Sequence, residues 1–380
     1  MNKRIANWTE LLQRFVFRAV LFVLISSCAL DLHAQKGEGW KKLNIKGLDR
    51  SAKLVEVGVL SGKHPQLAAA RDSLVTVFEI VKGEAKELFS IPFENHITLL
   101  KIGDANQDGK NELLVATGKD GYAEDIDINL YAVRLSNGQI QVEKVYNKKS
   151  ERPHSLFLDV ADLNNDGKKE LILSYFESKY FVETVAISRT GNGKWEIETT
   201  EKNRMAMVRD IGKLPGYDGW VSVVGRPYGD TVGALGDAYI LTGEKSEINE
   251  YGLADPTAQK YFSRRQLLPA FRGVKAVHIA DFDKDGKNEI FIGDGWHMDY
   301  GKVARSRLAM ISHTSSGYKY ELIEDVKGQY EITQIDVADI NGDGRNELLA
   351  RGNRYFRIYT KEQGKWKVFF SDSIRPAHFV

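Results

Sequence analysis

The sequence predicts an all-β fold: a β-propeller of six four-stranded antiparallel blades, with seven as the alternative count. Three observations predict it. Four closely similar segments recur: DANQDGKNELLVA from Asp104, DLNNDGKKELILS from Asp162, DFDKDGKNEIFIG from Asp281 and DINGDGRNELLAR from Asp339. Their first residues lie 58, 119 and 58 residues apart, so the middle gap holds about two periods. Apolar runs of strand length, separated by Gly, Asn or Ser turns, surround each segment, and no sustained helical period competes.

Two degenerate copies fill the series. Asp210-Ile211-Gly212 leads into PGYDGWVSVVG, with Lys213 where the first acid belongs, and Glu56-Val57-Gly58 leads into VLSGKHPQLAAA. In each copy an alternating apolar strand ends at the acidic loop. A more continuous strand follows (LLVA, LILS, IFIG), then a variable polar loop. A third strand (INLYAVRL, VETVAIS, DAYILTG, SRLAMIS, YFRIYTK), a tight turn and a fourth strand (QIQVEKVY, KWEIETT, YKYELIE, KWKVFFS) close the unit. One such sheet cannot cover both its faces, so the copies must stack around an axis. The expected blades are about 53–95, 96–153, 154–204, 205–272, 273–330 and 331–374, within one domain spanning 36–380. Residues 38–48 and the tail 378–380 are left over, and one or both should add a strand tying the first blade to the last.

Composition narrows the class. The chain has 380 residues, 42% hydrophobic and 28% charged, enough to bury a core. Lys plus Arg is 53 against 52 for Asp plus Glu, a formal charge of +1. That balance argues against nucleic acid as a partner, because such affinity comes mainly from phosphate neutralisation. The single cysteine, Cys28, excludes an internal disulfide and a Cys-rich zinc site. Lys3, Arg4, Arg14 and Arg18 precede the uncharged run AVLFVLISSCAL at residues 19–30, which is short for a bilayer span and suits a signal-peptide core. Two endings compete. Leu32-His33-Ala34 offers small-residue cleavage after residue 34, while Ile25-Ser26-Ser27-Cys28 resembles a bacterial lipobox that would place a lipid anchor on Cys28. Either implies export, to the periplasm, the cell surface or the medium.

At the acidic loops the chain resembles the FG-GAP and VCBS-type repeats of integrin-like β-propellers. The resemblance spans about residues 53–372 by period and is specific at four loops. It implies calcium in the loop joining the first two strands of a blade. It implies no single activity, since such propellers serve as adhesion modules, carbohydrate binders and scaffolds of some polysaccharide lyases.

The residues themselves suit calcium, a hard ion that takes six to eight oxygens at about 2.3–2.6 Å. Positions 1, 3, 5 and 9 of each loop supply side-chain oxygens. They are Asp104, Asn106, Asp108 and Glu112; Asp162, Asn164, Asp166 and Glu170; Asp281, Asp283, Asp285 and Glu289; Asp339, Asn341, Asp343 and Glu347. Position 7 (Lys110, Lys168, Lys287, Arg345) can add a backbone carbonyl. Position 6 is glycine in all four, where the chain must turn sharply. Asp, Asn and Gly also favour plain turns, but four such loops at blade spacing point to up to four calcium ions. The Asp283 loop is the most acidic and is expected to bind tightest.

A second pattern appears when the copies are aligned on the first ligand. The residue before it is small: Gly58, Gly103, Ala161, Gly212, Ala280, Ala338. Two before, it is Val or Ile: Val57, Ile102, Val160, Ile211, Ile279, Val337. Three before, it is ionisable: Glu56, Lys101, Asp159, Asp210, His278, Asp336. Side chains alternate along a strand, so the ionisable set should line the central channel as a ring. The bland reading is a solvated lining, and the functional one is an axial site for a cation, a cationic group or a sugar.

The loops between second and third strands lie at the opposite end from the calcium turns. They carry Lys119 and Tyr122; Arg226, Tyr228 and Asp230; and Asp294, Trp296, His297, Asp299 and Tyr300. Aromatic faces beside carboxylates and arginine suit a carbohydrate or protein ligand. The function expected is therefore an exported, calcium-stabilised binding or interaction module using that face. A polysaccharide lyase or hydrolase on the same face, and a scaffold subunit of a surface complex, are the alternatives. No nucleotide loop, zinc HExxH or nucleophile elbow occurs.

Overall fold

Each acidic hairpin opens a sheet. In the computed structural model, residues 54–60, 64–81, 84–118, 126–136, 139–150, 157–177, 181–204, 207–225, 238–242, 263–268, 274–294, 305–327, 332–352 and 355–373 are described. The predicted signal segment, Cys28, residues 38–48 and the tail at 378–380 lie outside them. Every regular element among the described residues is a strand. Six four-stranded antiparallel sheets form, each from four successive strands in chain order. The first holds β1–β4 (Leu54–Gly58, Gln66–Arg71, Leu74–Val81, Glu84–Pro92), and the second β5–β8 (His96–Gly103, Glu112–Gly118, Ile126–Ser136, Gln139–Ser150). The third holds β9–β12 (Phe157–Ala161, Glu170–Phe176, Phe181–Arg189, Trp195–Arg204), and the fourth β13–β16 (Met207–Lys213, Trp220–Gly225, Ala238–Thr242, Ser263–Leu268). The fifth holds β17–β20 (Val274–Ala280, Glu289–Asp294, Arg305–Thr314, Gly317–Lys327), and the sixth β21–β24 (Ile332–Ala338, Glu347–Gly352, Tyr355–Glu362, Lys365–Ser373).

The sheets are arranged as a propeller. The first strand of each meets the first strand of the next: β1 meets β5, then β9, β13, β17 and β21 follow in turn. Second strands are covered on both faces, which is why they read as unbroken apolar runs. Every residue of β6, β10 and β18 is buried. Five apolar seams join successive sheets. Val75, Val77 and Leu100 belong to the first, Leu130, Leu158 and Leu173 to the second, and Ile172, Ile211 and Val224 to the third. Val223, Val277 and Ile292 belong to the fourth, and Phe291, Ile335 and Leu348 to the fifth. The outward faces of the first and last sheets are as well covered: Leu67, Ala69 and Phe78, and Leu349, Phe356 and Ile358, are all buried. With the charge of Asp336 acting on Glu56, these faces are placed to close the disc.

In all six sheets the pairing of third with fourth strand shifts by one residue at a β-bulge, for instance at Val77/Phe78, Leu130/Tyr131 and Leu308/Ala309. The same shift occurs at Ala186/Ile187, Ala238/Tyr239 and Ile358/Tyr359. A bulge raises local twist, so the repeat extends to the twist of each outer edge. The small residue before each loop has a blade-to-blade cause. A Cβ on Gly58 would lie 2.7 Å from Ile102 Cγ2, one on Gly103 would lie 2.9 Å from Val160 Cγ2, and one on Gly212 would lie 2.7 Å from Ile279 Cγ2. The β-branched residue of one inner strand thus packs on the small residue of its predecessor.

Candidate metal centres and axial ring

The four loops share one backbone-to-carboxylate pattern. The first acid accepts the N–H of the position-6 glycine: Gly109 to Asp104 at 3.1 Å, Gly167 to Asp162 at 3.0 Å, Gly286 to Asp281 at 2.9 Å and Gly344 to Asp339 at 2.8 Å. Position 3 accepts from the N–H of position 5, and position 5 from that of position 7, at 2.8–3.2 Å in each loop, as in Asp108 to Asn106 (2.8 Å) and Asp285 to Asp283 (3.2 Å). The closing glutamate reaches back to the N–H of position 2 at 2.9 Å in all four: Glu112 to Ala105, Glu170 to Leu163, Glu289 to Phe282 and Glu347 to Ile340. The loops can wind this way because two positions are left-handed. The glycines have φ between +83° and +89°, and position 4 has φ of +61° at Gln107, +58° at Asn165, +62° at Lys284 and +76° at Gly342.

In the Asp162, Asp281 and Asp339 loops both oxygens of the first acid accept backbone N–H groups, so each hairpin is wound around its own carboxylate. Two oxygens there are buried without a partner: Asp104 Oδ1 and Glu170 Oε1. An unpaired buried carboxylate oxygen costs folding free energy. Ligand oxygens of Asp162, Asp166 and Glu170 lie within 4.8 Å of one another, as do those of Asp281, Asp283 and Asp285. Two oxygens bound to one ion at about 2.4 Å can be no more than about 4.8 Å apart. Both groups could therefore hold a metal ion. Burial, reinforced by neighbouring aspartates, pushes Glu289 and Glu347 up to about 7, and burial with the charge of Glu198 and the loop aspartates does the same to Glu170. A bound cation would reverse that penalty.

The loops also interlock from blade to blade. Position 4 reaches forward: Gln107 donates to the Lys169 carbonyl at 3.1 Å, Asn165 accepts from the Trp220 N–H at 3.0 Å, and Lys284 donates to the Gly344 carbonyl at 2.7 Å. Position 8 reaches back: Asn111 to the Val59 carbonyl at 2.8 Å, Asn288 to Lys213 at 2.8 Å and Asn346 to Asp281 at 3.0 Å. The recurrence of asparagine at position 8 (KNE, KNE, RNE) was a readable signal for these clamps.

The six ionisable residues of the inner strands form a connected set. Lys101 Nζ lies 3.0 Å from Asp159 Oδ1. His278 sits between two aspartates, with Nδ1 3.4 Å from Asp210 Oδ2 and Nε2 3.5 Å from Asp336 Oδ1. Only an imidazolium carries a proton on each nitrogen, so only that form can donate to both. Burial lifts Glu56 from the usual 4.5 to about 7, opposed by the Lys101 charge and the Ile102 N–H and reinforced by Asp159 and Asp336. The carboxylates also have a backbone task. Inner strands present an unpaired edge to the axis, and an unmet N–H there is costly. Glu56 accepts from the Ile102 N–H of the next blade at 3.3 Å, and Asp210 from that of Ile279 at 2.7 Å. Asp159, Asp210 and Asp336 each accept from the following residue's own N–H at 2.8–2.9 Å.

Of the predicted ligand-face residues, Lys119, Tyr122, Arg226, Tyr228, Asp230, Trp296, His297, Asp299 and Tyr300 lie outside the described residues. Asp294 is described and is buried. Its carboxylate accepts from the Arg307 backbone at 2.5 Å and from the guanidinium at 2.9 Å and 2.8 Å. It serves there as an internal anchor between β18 and β19. The sequence reading passed over a second polar knot: buried Glu183 accepts from Tyr175 at 2.7 Å and pairs with Lys148 and Lys202, and Tyr175 also bonds Tyr146 at 2.8 Å. It links the second and third sheets.

A scan against protein-family models gave no match, and a search of curated proteins gave none. The fold and the loop geometry therefore carry the functional argument by themselves.

Proposed function

We propose that this protein is an exported, calcium-stabilised β-propeller of the FG-GAP/VCBS type that acts as a binding or interaction module. The observation that carries the reading is the repeated cradle: four loops with one wiring, oxygen-only donors, and buried carboxylate oxygens that no protein group satisfies at Asp104 and Glu170. Position 1, 3, 5 and 9 side chains would hold the ion, with the position-7 carbonyl as a further donor. Calcium supplies charge neutralisation and pins the turn between the first two strands of a blade, and the protein's part is to present preformed oxygens. Without an internal disulfide, such clamps are the available covalent-free staples outside the cell. The basic start and apolar run before residue 34 support export, with Cys28 as the lipid attachment point if the lipobox is used.

A disc fixed on its calcium side leaves the opposite loops free to vary, which is where a carbohydrate or protein ligand would bind. The experiment has two arms. Chelation with EGTA should lower the melting temperature by several degrees and calcium should restore it; an unchanged curve with no retained metal defeats the calcium reading. Trp296→Ala should abolish binding on a glycan array or to a captured surface protein while leaving the melting curve intact. Undiminished binding by that variant would defeat the assignment of the face.

A further inference from the structure

We propose that the four loops are graded, and that in two of them a cation from another strand or blade takes the place of part of the metal's charge. This rests on the calcium reading above and divides the sites within it.

The grading comes from what faces each closing glutamate. In the second sheet Leu113 pairs with Val133, so the next pair outward sets Glu112 against Arg134. The same register sets Glu170 against Ser188, Glu289 against Ser312 and Glu347 against Thr360. Three copies thus place a hydroxyl where the first places a guanidinium. Arg134 Nε lies 3.3 Å from Glu112 Oε1, and the Asn106 amide donates to that same oxygen. Arg134 is held from its other side by Glu143 at 3.0 Å. A divalent ion entering this loop meets a fixed positive charge on one of its ligands. Asp104 Oδ1 remains unpartnered, so the loop retains an attraction for a cation and binds it weakly.

The last loop is compensated from the neighbouring blade. Lys284, at position 4 of the fifth-blade loop, donates to the Gly344 carbonyl at 2.7 Å and places its ammonium 3.8 Å from Asp339 Oδ2. This side chain is about half exposed and can swing away, so the Asp339 loop ranks above the Asp104 loop. In the remaining two loops no cation from another strand or blade pairs with a ligand among the described residues; the Asp281 loop has only the solvent-exposed Lys287–Asp285 pair at 3.6 Å, and the Asp339 loop has an equally exposed Arg345–Asp343 pair at 3.3 Å besides Lys284. In the Asp162 loop, Glu170 is 1% exposed and its Oε1 has no partner. This oxygen belongs to the residue that converges with Asp162 and Asp166, and Asp281, Asp283 and Asp285 converge in the same way. The chain is therefore built to take two divalent ions first, at the Asp162 and Asp281 loops, and the other two only at higher concentration.

Native mass spectrometry and calorimetric titration of the chelator-stripped full chain with calcium test this. The expected result is two ions bound in a first phase and two more at concentrations at least tenfold higher. Arg134→Ser, which installs the residue type found in the other blades, should move a third ion into the first phase. Lys284→Gln, on an exposed side chain and safe for folding, should tighten the Asp339 loop several-fold. Asp162→Asn should remove one first-phase ion. Four equivalent ions in the unaltered chain, or a first-phase count unmoved by both Arg134→Ser and Lys284→Gln, would overturn the grading while leaving the calcium reading in place. No ion bound by any form overturns both.

Discussion

Glu56 shows how one side chain sets a pH response. Its folded-state pKa of about 7 exceeds the usual 4.5, chiefly through burial. The folded state therefore holds this proton between those values while the unfolded chain has released it, and stability falls as pH rises through that window. Glu56→Gln keeps an acceptor for the Ile102 N–H and removes the titration. The variant should gain stability over the parent on going from pH 4 to pH 8, by at most about 3 kcal/mol at about 1.4 kcal/mol per pH unit. Urea denaturation at the two pH values measures it, and a difference independent of pH would refute the assignment. Gly286 gives a second test at this scale. Its φ is +87° and a Cβ there would meet open space, so Gly286→Ala isolates backbone strain, with an expected loss of about 1–2 kcal/mol.

At the scale of the strand and hairpin, the blade-to-blade clamps make the acidic loops a linked set. Asn288→Ala removes a bond to the Lys213 carbonyl and Asn346→Ala removes bonds to the Asp281 and Phe282 carbonyls. Each should cost about 0.5–1.5 kcal/mol. Because Asn288 projects from the fifth-blade loop and Asn346 ends on it, the double variant should lose more or less than the sum, and strict additivity would argue that the loops act independently. Much of this element was legible beforehand. The acidic loop positions, the glycine turn and the ionisable residues of the inner strands follow from aligning copies whose strand alternation is regular. What escaped depends on distance across the sheet. Arg134 lies 22 residues from Glu112 in sequence, and only the register of the third strand sets them face to face. Lys284 acts on a loop 55 residues away, through blade neighbourhood. The left-handed position 4 was hidden because Gln107 and Lys284 are not turn-forming types; Asn165 and Gly342 were the only hints. Asp294 was grouped with loop residues because it ends an apolar strand, whereas its pairing with Arg307 draws it into the sheet.

For the whole molecule, the repeat explains why one small sequence feature recurs with structural force. The inner strands supply a small residue for the neighbour's β-branched side chain and, in four of the six, an acid for an edge N–H, and the acidic loops are gripped by the next blade. Gly212→Ala tests the first of these requirements. Its added Cβ would press on Ile279 Cγ2 at 2.7 Å, and overpacking of this kind costs about 1–3 kcal/mol. A thermal melt should show the loss as one cooperative shift, since the seam it disturbs is shared by two blades. The interior seams and the axial ring hold the disc from within, and the acidic loops hold it from one side. The most direct test of that arrangement is anomalous scattering from a crystal grown in calcium. Peaks are expected between Asp162, Asp166 and Glu170 and between Asp281, Asp283 and Asp285. Clean difference density with no peak in any of the four loops would contradict it.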